Sequence, residues 1–217
     1  MIFSKSITFD EEEFEGAGLA GDLASSHPDA ETLFIEKLRT GEEAAFNTLF
    51  DRYGAHVYGL LLRITHDPEE AGDLTQETFL RALQGIKKFR GDSGLRTWLF
   101  RIAINQSRNR FRWWKRRKRH KTVSIDSSQN DTDTPLSESL SDKGPNPEEN
   151  VLRGERRRRL LEAIEELPAN FKEAVVLCDI EGLSYTEISE VLEIGMGTVK
   201  SRIARGRREL RKKLTDV

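Results

Sequence analysis

The chain is poorest in cysteine. Cys178 stands alone among 217 residues, which excludes an intramolecular disulfide framework and fits a reducing compartment. It lies in the apolar run 174–178, so it reads as a buried structural thiol rather than a nucleophile. The four histidines (His27, His56, His66, His120) are scattered, and no His/Cys cluster has metal-ligand spacing, so neither metal nor cofactor is expected. No apolar run approaches the roughly 18 residues that cross a bilayer. The opening MIFSKSITFDEEEFEG lacks the charged-then-apolar order of a secretory signal. Those two absences predict a cytoplasmic protein without membrane insertion. Acid is missing where base is densest: residues 96–121 hold eleven Lys or Arg and no Asp or Glu. A nuclease would need metal-binding carboxylates beside such a stretch.

That basic stretch, RTWLFRIAINQSRNRFRWWKRRKRHK, is the chain's main positive feature. Aromatics interleave it at Trp98, Phe100, Phe111, Trp113 and Trp114. Clustered cations attract phosphates, and flat rings can stack on exposed bases. Arg101, Asn105, Arg108, Arg112, Lys115 and Arg119 share one side of a helix, whereas Leu95, Trp98, Leu99 and Ile102 form an apolar stripe on another. Two stripes predict a helix docked on a core, with its charge held in a fixed direction. Trp98, on the apolar stripe, is expected to anchor the helix. Of the adjacent Trp113 and Trp114, at most one is expected to be buried.

The rest of the chain divides around it. Residues 1–29 carry seven acids and one base, Lys5, and read as a disordered extension. It is either a solvating tail or a competitor for the basic helix. A first domain is expected over 30–121. It opens with a short helix ending at Gly41, followed by an amphipathic helix from Glu42 with Phe46, Leu49, Phe50, Tyr53, Val57, Leu60, Leu61 and Ile64 on one side. His66-Asp67-Pro68 breaks that helix, and Pro68 suits the first turn of the next. The next helix should bury Leu74, Phe79, Ala82, Leu83 and Ile86, and should gather Asp73, Gln76, Glu77, Leu80 and Gln84 on a second, acidic side. That side is either plain solvent surface or a docking face for a basic partner. A Gly- and Ser-containing loop, 87–94, leads into the basic helix.

From Thr122 to Asn150 seven acids, one base and many Ser, Thr, Asn and Pro replace any periodicity, so 122–147 reads as a flexible acidic linker. A second domain follows over 148–217. Its first helix should turn Leu160, Leu161, Ile164 and Leu167 inward, and Pro168 interrupts it. A second helix covers about 170–179. Ser184 with Glu187 forms a capping box that opens a short helix, Tyr185 to Leu192. The turn Glu193-Ile194-Gly195 leads to a last helix burying Val199, Ile203, Leu210 and Leu214. Two short helices with a tight turn and a basic outer face make a helix-turn-helix. The fold class is therefore all-α: two small helical domains, the second with a helix-turn-helix.

Three segments carry a resemblance. DPEEAGDLTQETFLRAL, RTWLFRIAINQSRNRFR and LSYTEISEVLEIGMGTVKSRIARGRREL resemble, in order, the core-binding, −10-reading and −35-reading segments of bacterial sigma factors of the extracytoplasmic-function type. The resemblance covers roughly residues 30–215. It implies a non-enzymatic subunit that docks on core RNA polymerase through the beta-prime and beta subunits, reads promoter DNA, melts the −10 element, and is held by an anti-sigma factor. It implies core-polymerase binding by Asp73, Gln76, Glu77 and Leu80, with Phe79 left to packing. It implies −10 contacts by Phe89, Arg90, Ser93, Arg96, Arg101, Asn105, Arg108 and Arg112. The loop 89–95 would capture a base flipped from the strand, at a cost of a few kcal/mol of stacking. It implies −35 contacts by Thr198, Lys200, Ser201, Arg202, Arg205, Arg207 and Arg208; Arg205 is the best candidate for a base edge, Arg202, Arg207 and Arg208 for phosphates. The acidic linker would be either a passive tether or an RNA mimic near the polymerase channels.

The chain departs from the family pattern at four positions. Glu193 stands where the turn usually has Gly, and Gly195 where it has Pro. Asn109 replaces a common Asp, and Ala204 a bulkier residue. A stand-alone helix-turn-helix regulator is the alternative; it accounts for residues 183–213 but not for the acidic face at Asp73–Glu77.

Overall fold

The computed structural model describes residues 28–120 and 158–215, with Glu155 besides. The acidic extension up to residue 27 and the linker lie outside the described residues; Pro28 and Asp29, read from the sequence as its end, open the first helix instead. Among the described residues every regular element is helical.

The first domain has four helices: α1 (Pro28–Thr40), α2 (Glu43–Thr65), α3 (Pro68–Gly85) and α4 (Leu95–His120). Each boundary has a local cause. Gly41 takes φ +83 after α1, and its N–H and that of Glu42 return to the carbonyls of Leu38 and Lys37. That closes the helix end with a left-handed residue, as glycine allows. His66, also left-handed at φ 58, caps α2. Asp67 caps α3 by accepting a hydrogen bond from the Glu70 N–H at 3.0 Å, with Pro68 in the first turn.

The core of this domain gathers Leu49, Val57, Leu60, Leu74, Ile86, Leu99, Phe100 and Ile104, all essentially inaccessible. Phe50 meets Phe79 edge-on at 4.9 Å. Trp98 is buried as the anchor expected of it, packed on Phe89 at 4.9 Å. Leu83 departs from the expectation: it lies at the surface, and Thr75 and Thr78 take the core side of α3. Each of those hydroxyls donates to the carbonyl one turn back, at 2.7 Å, so burial leaves no polar group unpaired. Trp113 and Trp114 are both exposed; they meet edge to face at 5.4 Å, with the Arg117 guanidinium over the Trp113 ring.

The second domain has α5 (158–165), α6 (Ala169–Val175), α7 (Tyr185–Leu192) and α8 (Met196–Thr215). A wide π-type turn, Val176–Ile180, extends α6. Ile164, Leu167, Val175, Val176, Ile188, Val191, Val199 and Ile203 form the core. Leu160, Leu161 and Leu214, expected inside, are exposed. Gly206 explains how closely α8 approaches α6: a Cβ there would lie 2.5 Å from the Val175 side chain.

The capping box forms as expected, with Ser184 and Glu187 each bonded to the other's backbone N–H. The turn after α7 holds Glu193 at φ 55, where the sequence offers no glycine. A left-handed non-glycine costs about 1–2 kcal/mol. Glycine's greater freedom when unfolded offsets roughly half of that. Glu193→Gly is therefore expected to stabilise the domain by about 0.5–1 kcal/mol, read as a rise of a few degrees in thermal unfolding.

The second domain packs on the first through α7 against α4 and through α6 and its π-type turn against α2, with Glu173 of α6 reaching Arg108 of α4. The contact is polar and acidic on one side, basic on the other.

Candidate nucleic-acid interface

Three surfaces collect the residues singled out from the sequence. The first is a groove of about 530 Å³ between α3 and α4. Asp73, Gln76, Glu77 and Leu80 line it, as one helical side should. Across from them stand Gln106, Asn109, Arg110 and Trp113 of α4, which the sequence reading did not assign to this face. Their spacing of three and four was the available signal. Asp73 lies 3.9 Å from Arg110, and Glu77 accepts from Arg81 at 2.7 Å. Leu80 is 39 % exposed on this acidic wall.

The second surface is the loop after α3 with the adjoining face of α4. A groove of about 350 Å³ is lined by Lys88, Phe89, Arg90, Asp92, Ser93, Trp98 and Arg101, and closed by Glu190 of α7. Arg90 and Ser93 reach solvent, Arg90 beside Asp92 at 3.3 Å. Phe89 does not: it is 6 % exposed and belongs to the packing around Trp98, so it is a wall and not a free contact. Its carbonyl accepts from Arg39 of α1, which fixes the loop from behind.

The helix face beyond the loop is occupied. Arg96 donates to the Glu181 carboxylate at 3.0 Å and to the Glu181 carbonyl at 2.7 Å. Arg63 of α2 reaches the same carboxylate at 3.1 Å, and His56 stands 4.0 Å away. Arg108 is gripped by both oxygens of Glu173, its Nε at 2.9 Å, and extends toward the Leu192 carbonyl. Thr97 donates to Glu187 at 3.2 Å. Asn105 is half-buried, and Arg112 is exposed, turned onto Asn109. Of the eight residues expected on this surface, Phe89 is thus walled in and Arg96 and Arg108 are ion-paired to the second domain, while Arg101 lines the groove that Glu190 closes.

Electrostatics at the contact follow from burial. It pushes the Glu181 carboxyl up, against the pull of Arg63 and Arg96. Burial would raise Glu187 too, but hydrogen bonds from Ser184 and Thr97 bring it below its usual range. The hydrogen bonds to Glu173 raise Arg108 further, so its charge is fixed. His66 accepts from Lys172 at 2.8 Å through Nε2, with Glu165 3.9 Å from Nδ1. Burial and Lys172 hold His66 below its ordinary range, against Glu165, and burial beside Arg96 and Arg63 lowers His56.

Domain separation removes Lys172 from His66, whose imidazole then returns toward about 6.5. The separated form binds the extra proton, so packing weakens as pH falls from about 7.5 to about 6. Glu181 has the opposite sign and acts lower: its raised carboxyl favours packing as pH falls through the carboxylate range. The expected result is a larger radius of gyration at the lower of the first two pH values, by small-angle X-ray scattering.

The third surface is the outer side of α8. Thr198, Lys200, Ser201, Arg205 and Arg208 are exposed along it, and Arg202 is half-buried. Arg207 is exposed but held to Asp179 of its own domain by a two-armed ion pair. Ser201 folds its hydroxyl onto the Thr198 carbonyl at 3.0 Å. Val199, Ile203 and Leu210 pin the other side of the helix to the core. Among the described residues no group of three or more His, Cys, Asp or Glu could hold a metal ion, and no helix is long and apolar enough to cross a membrane.

Two small helical domains, one presenting a helix-turn-helix and the other a basic helix beside an acidic groove, define a protein built for more than one macromolecular contact. Residues 49–119 match the family model of sigma-70 region 2, and residues 157–210 that of sigma-70 region 4. The chain is 36 % identical over 181 residues to the RNA polymerase sigma-H factor of Pseudomonas aeruginosa, covering 83 % of this chain and 91 % of that one. It is 35 % identical over 181 residues to the ECF RNA polymerase sigma-E factor of Haemophilus influenzae, with coverage of 83 % and 93 %. Two solved structures share the fold. One is the sigma factor RpoE with the anti-sigma factor NepR from Bartonella quintana (TM-score 0.60, 22 % identity, 78 % of this chain and 96 % of that one). The other is CnrH with the cytosolic domain of CnrY (TM-score 0.61, 23 % identity, 87 % and 99 %). The chain belongs to the sigma-70 family, in its extracytoplasmic-function branch.

Proposed function

We propose that the chain is a promoter-specificity subunit of RNA polymerase acting in the cytoplasm. The first domain, 30–121, docks on the core enzyme, its α3 face of Asp73, Gln76, Glu77 and Leu80 meeting the beta-prime subunit, with the beta subunit as a further contact. The loop 89–95 and Arg96, Arg101, Asn105, Arg108 and Arg112 of α4 then carry the −10 strand. The second domain, 148–217, lays α8 in the major groove of the −35 element. An anti-sigma factor holds the chain inactive, a reading supported by the structural relative RpoE of Bartonella quintana, a sigma factor solved with the anti-sigma factor NepR.

The observation that carries this reading is the exposed row Thr198, Lys200, Ser201, Arg205 and Arg208 on a helix fixed by the capped helix-turn-helix. Arg205 has a free planar fork at the surface, suited to a guanine edge. Arg205→Ala is expected to reduce discrimination between the cognate −35 element and mismatched ones by about 1–3 kcal/mol, roughly 5- to 150-fold. Competition binding with the two duplexes measures it; an unchanged ranking removes Arg205 from base reading.

Run-off transcription with purified core polymerase tests the whole. Adding the protein should give start sites at its own promoters that core polymerase alone does not use. If it binds promoter DNA tightly by itself and leaves start-site choice unchanged, it is a stand-alone helix-turn-helix regulator.

A further inference from the structure

Of the α4 residues read as the strand track, Arg96, Arg101 and Arg108 face the second domain, while Arg112 stays exposed. Glu181 takes Arg96, Glu173 takes Arg108, and Glu190 closes the groove that Arg101 lines. The side chains of Glu173 and Glu181 are only 8 % and 5 % exposed. Carboxylates are buried to that degree only when paired, and their cationic partners here, Arg63, Arg96 and Arg108, all belong to the first domain. The second domain therefore carries acids whose burial makes sense only against the first domain, chiefly against α4.

A guanidinium fork fits a carboxylate and a phosphate in the same way, with two parallel N–H donors. Arg96 and Arg108 cannot hold both. The packed form also leaves one donor unserved: Arg96 Nε is buried without an acceptor. Such a contact is a compromise, open to exchange for a ligand that satisfies every donor. The mask is one-sided, because Lys200, Ser201, Arg205 and Arg208 on α8 stay exposed while it is closed.

We propose that the α6–α7 end of the second domain is a built-in substitute for the −10 strand. Glu173, Glu181 and Glu190 stand on α4 where backbone phosphates would, so the strand binds only after the domains part. This rests on the reading of α4 as the strand track.

The test uses the full chain and a labelled DNA single strand of mixed sequence, followed by fluorescence anisotropy at low salt. Arg63→Glu is the first variant: Arg63 is off the strand track, and a glutamate there repels Glu181. Glu173→Gln with Glu181→Gln is the second, should the first not fold. Glu36→Gln with Glu162→Gln removes the same charge as the second from exposed sites. Small-angle scattering of each sample reports whether the domains have parted. The expected result is about tenfold or more tighter binding by the first two variants, with a larger radius of gyration, and less than about twofold change in the control. Arg63→Glu gains affinity despite added negative charge, which plain electrostatics would not give. If the variants open without gaining affinity, both the mask and the strand track on α4 are wrong. If they neither open nor gain while the native chain still directs run-off transcription, the mask alone is wrong.

Discussion

Asp73→Arg combined with Glu77→Arg is expected to weaken binding to core RNA polymerase by about 2–4 kcal/mol, roughly 30- to 1,000-fold. Both acids stand on the α3 wall of the groove, Asp73 71 % and Glu77 42 % exposed as side chains. Their internal partners, Arg110 and Arg81, are also at the surface. Ion pairs of that kind contribute about 0–1 kcal/mol to folding, so the double variant should keep its thermal midpoint within a few degrees. The isolated interaction of the second domain with −35 duplex should be unchanged, since α8 lies on the other domain. Co-sedimentation with core enzyme measures the first effect and duplex binding the second. Loss of both would mean that α3 is structural and not a docking face.

Phe100→Ala is expected to destabilise the first domain by about 3–5 kcal/mol. Phe100 heads the large side chains that are fully buried, and the Arg96 guanidinium lies 5.1 Å from its ring centre. Whole domains are stable by only about 5–15 kcal/mol, so the variant should lose much of that margin. Its thermal midpoint should fall by about 12 °C or more, followed by the helical circular dichroism signal. Leu83→Ala on the same domain makes the contrast: the residue is 36 % exposed, and the change should stay within about 0.5 kcal/mol.

Helical period and capping chemistry were legible in the sequence. The capping box at Ser184, the turn at Glu193 and the helix Tyr185–Leu192 stand where residue types alone put them. Trp98 could be assigned to packing because it falls on an apolar stripe. Leu83, Leu160, Leu161 and Leu214 show the limit of the same logic. Periodicity names a side of a helix, but tertiary contact decides how wide the covered strip is. On α3 the strip narrows enough that Thr75 and Thr78, self-bonded to the backbone, replace Leu83.

The candidate site was legible as faces and not as contacts. The acidic side of α3 could be listed from spacing, but its opposite wall, Gln106 to Trp113, needed the crossing of α3 with α4. Glu173, Glu181 and Glu190 carried no signal at all. Each is an ordinary acid in sequence, and only the packing of the second domain sets it against an arginine more than 60 positions away.

The 26 residues of α4 run about 39 Å without a break. Arg101, Asn105, Arg108 and Arg112 lie on one side of it, and Gln106, Asn109, Arg110 and Trp113 lie roughly 120° around. A protein seated in the groove therefore sets the azimuth of the basic track as a key sets a spindle. No hinge intervenes, so orientation is passed on by stiffness alone. A single residue inserted near the middle would turn the far half by about 100° and throw the two sides out of register.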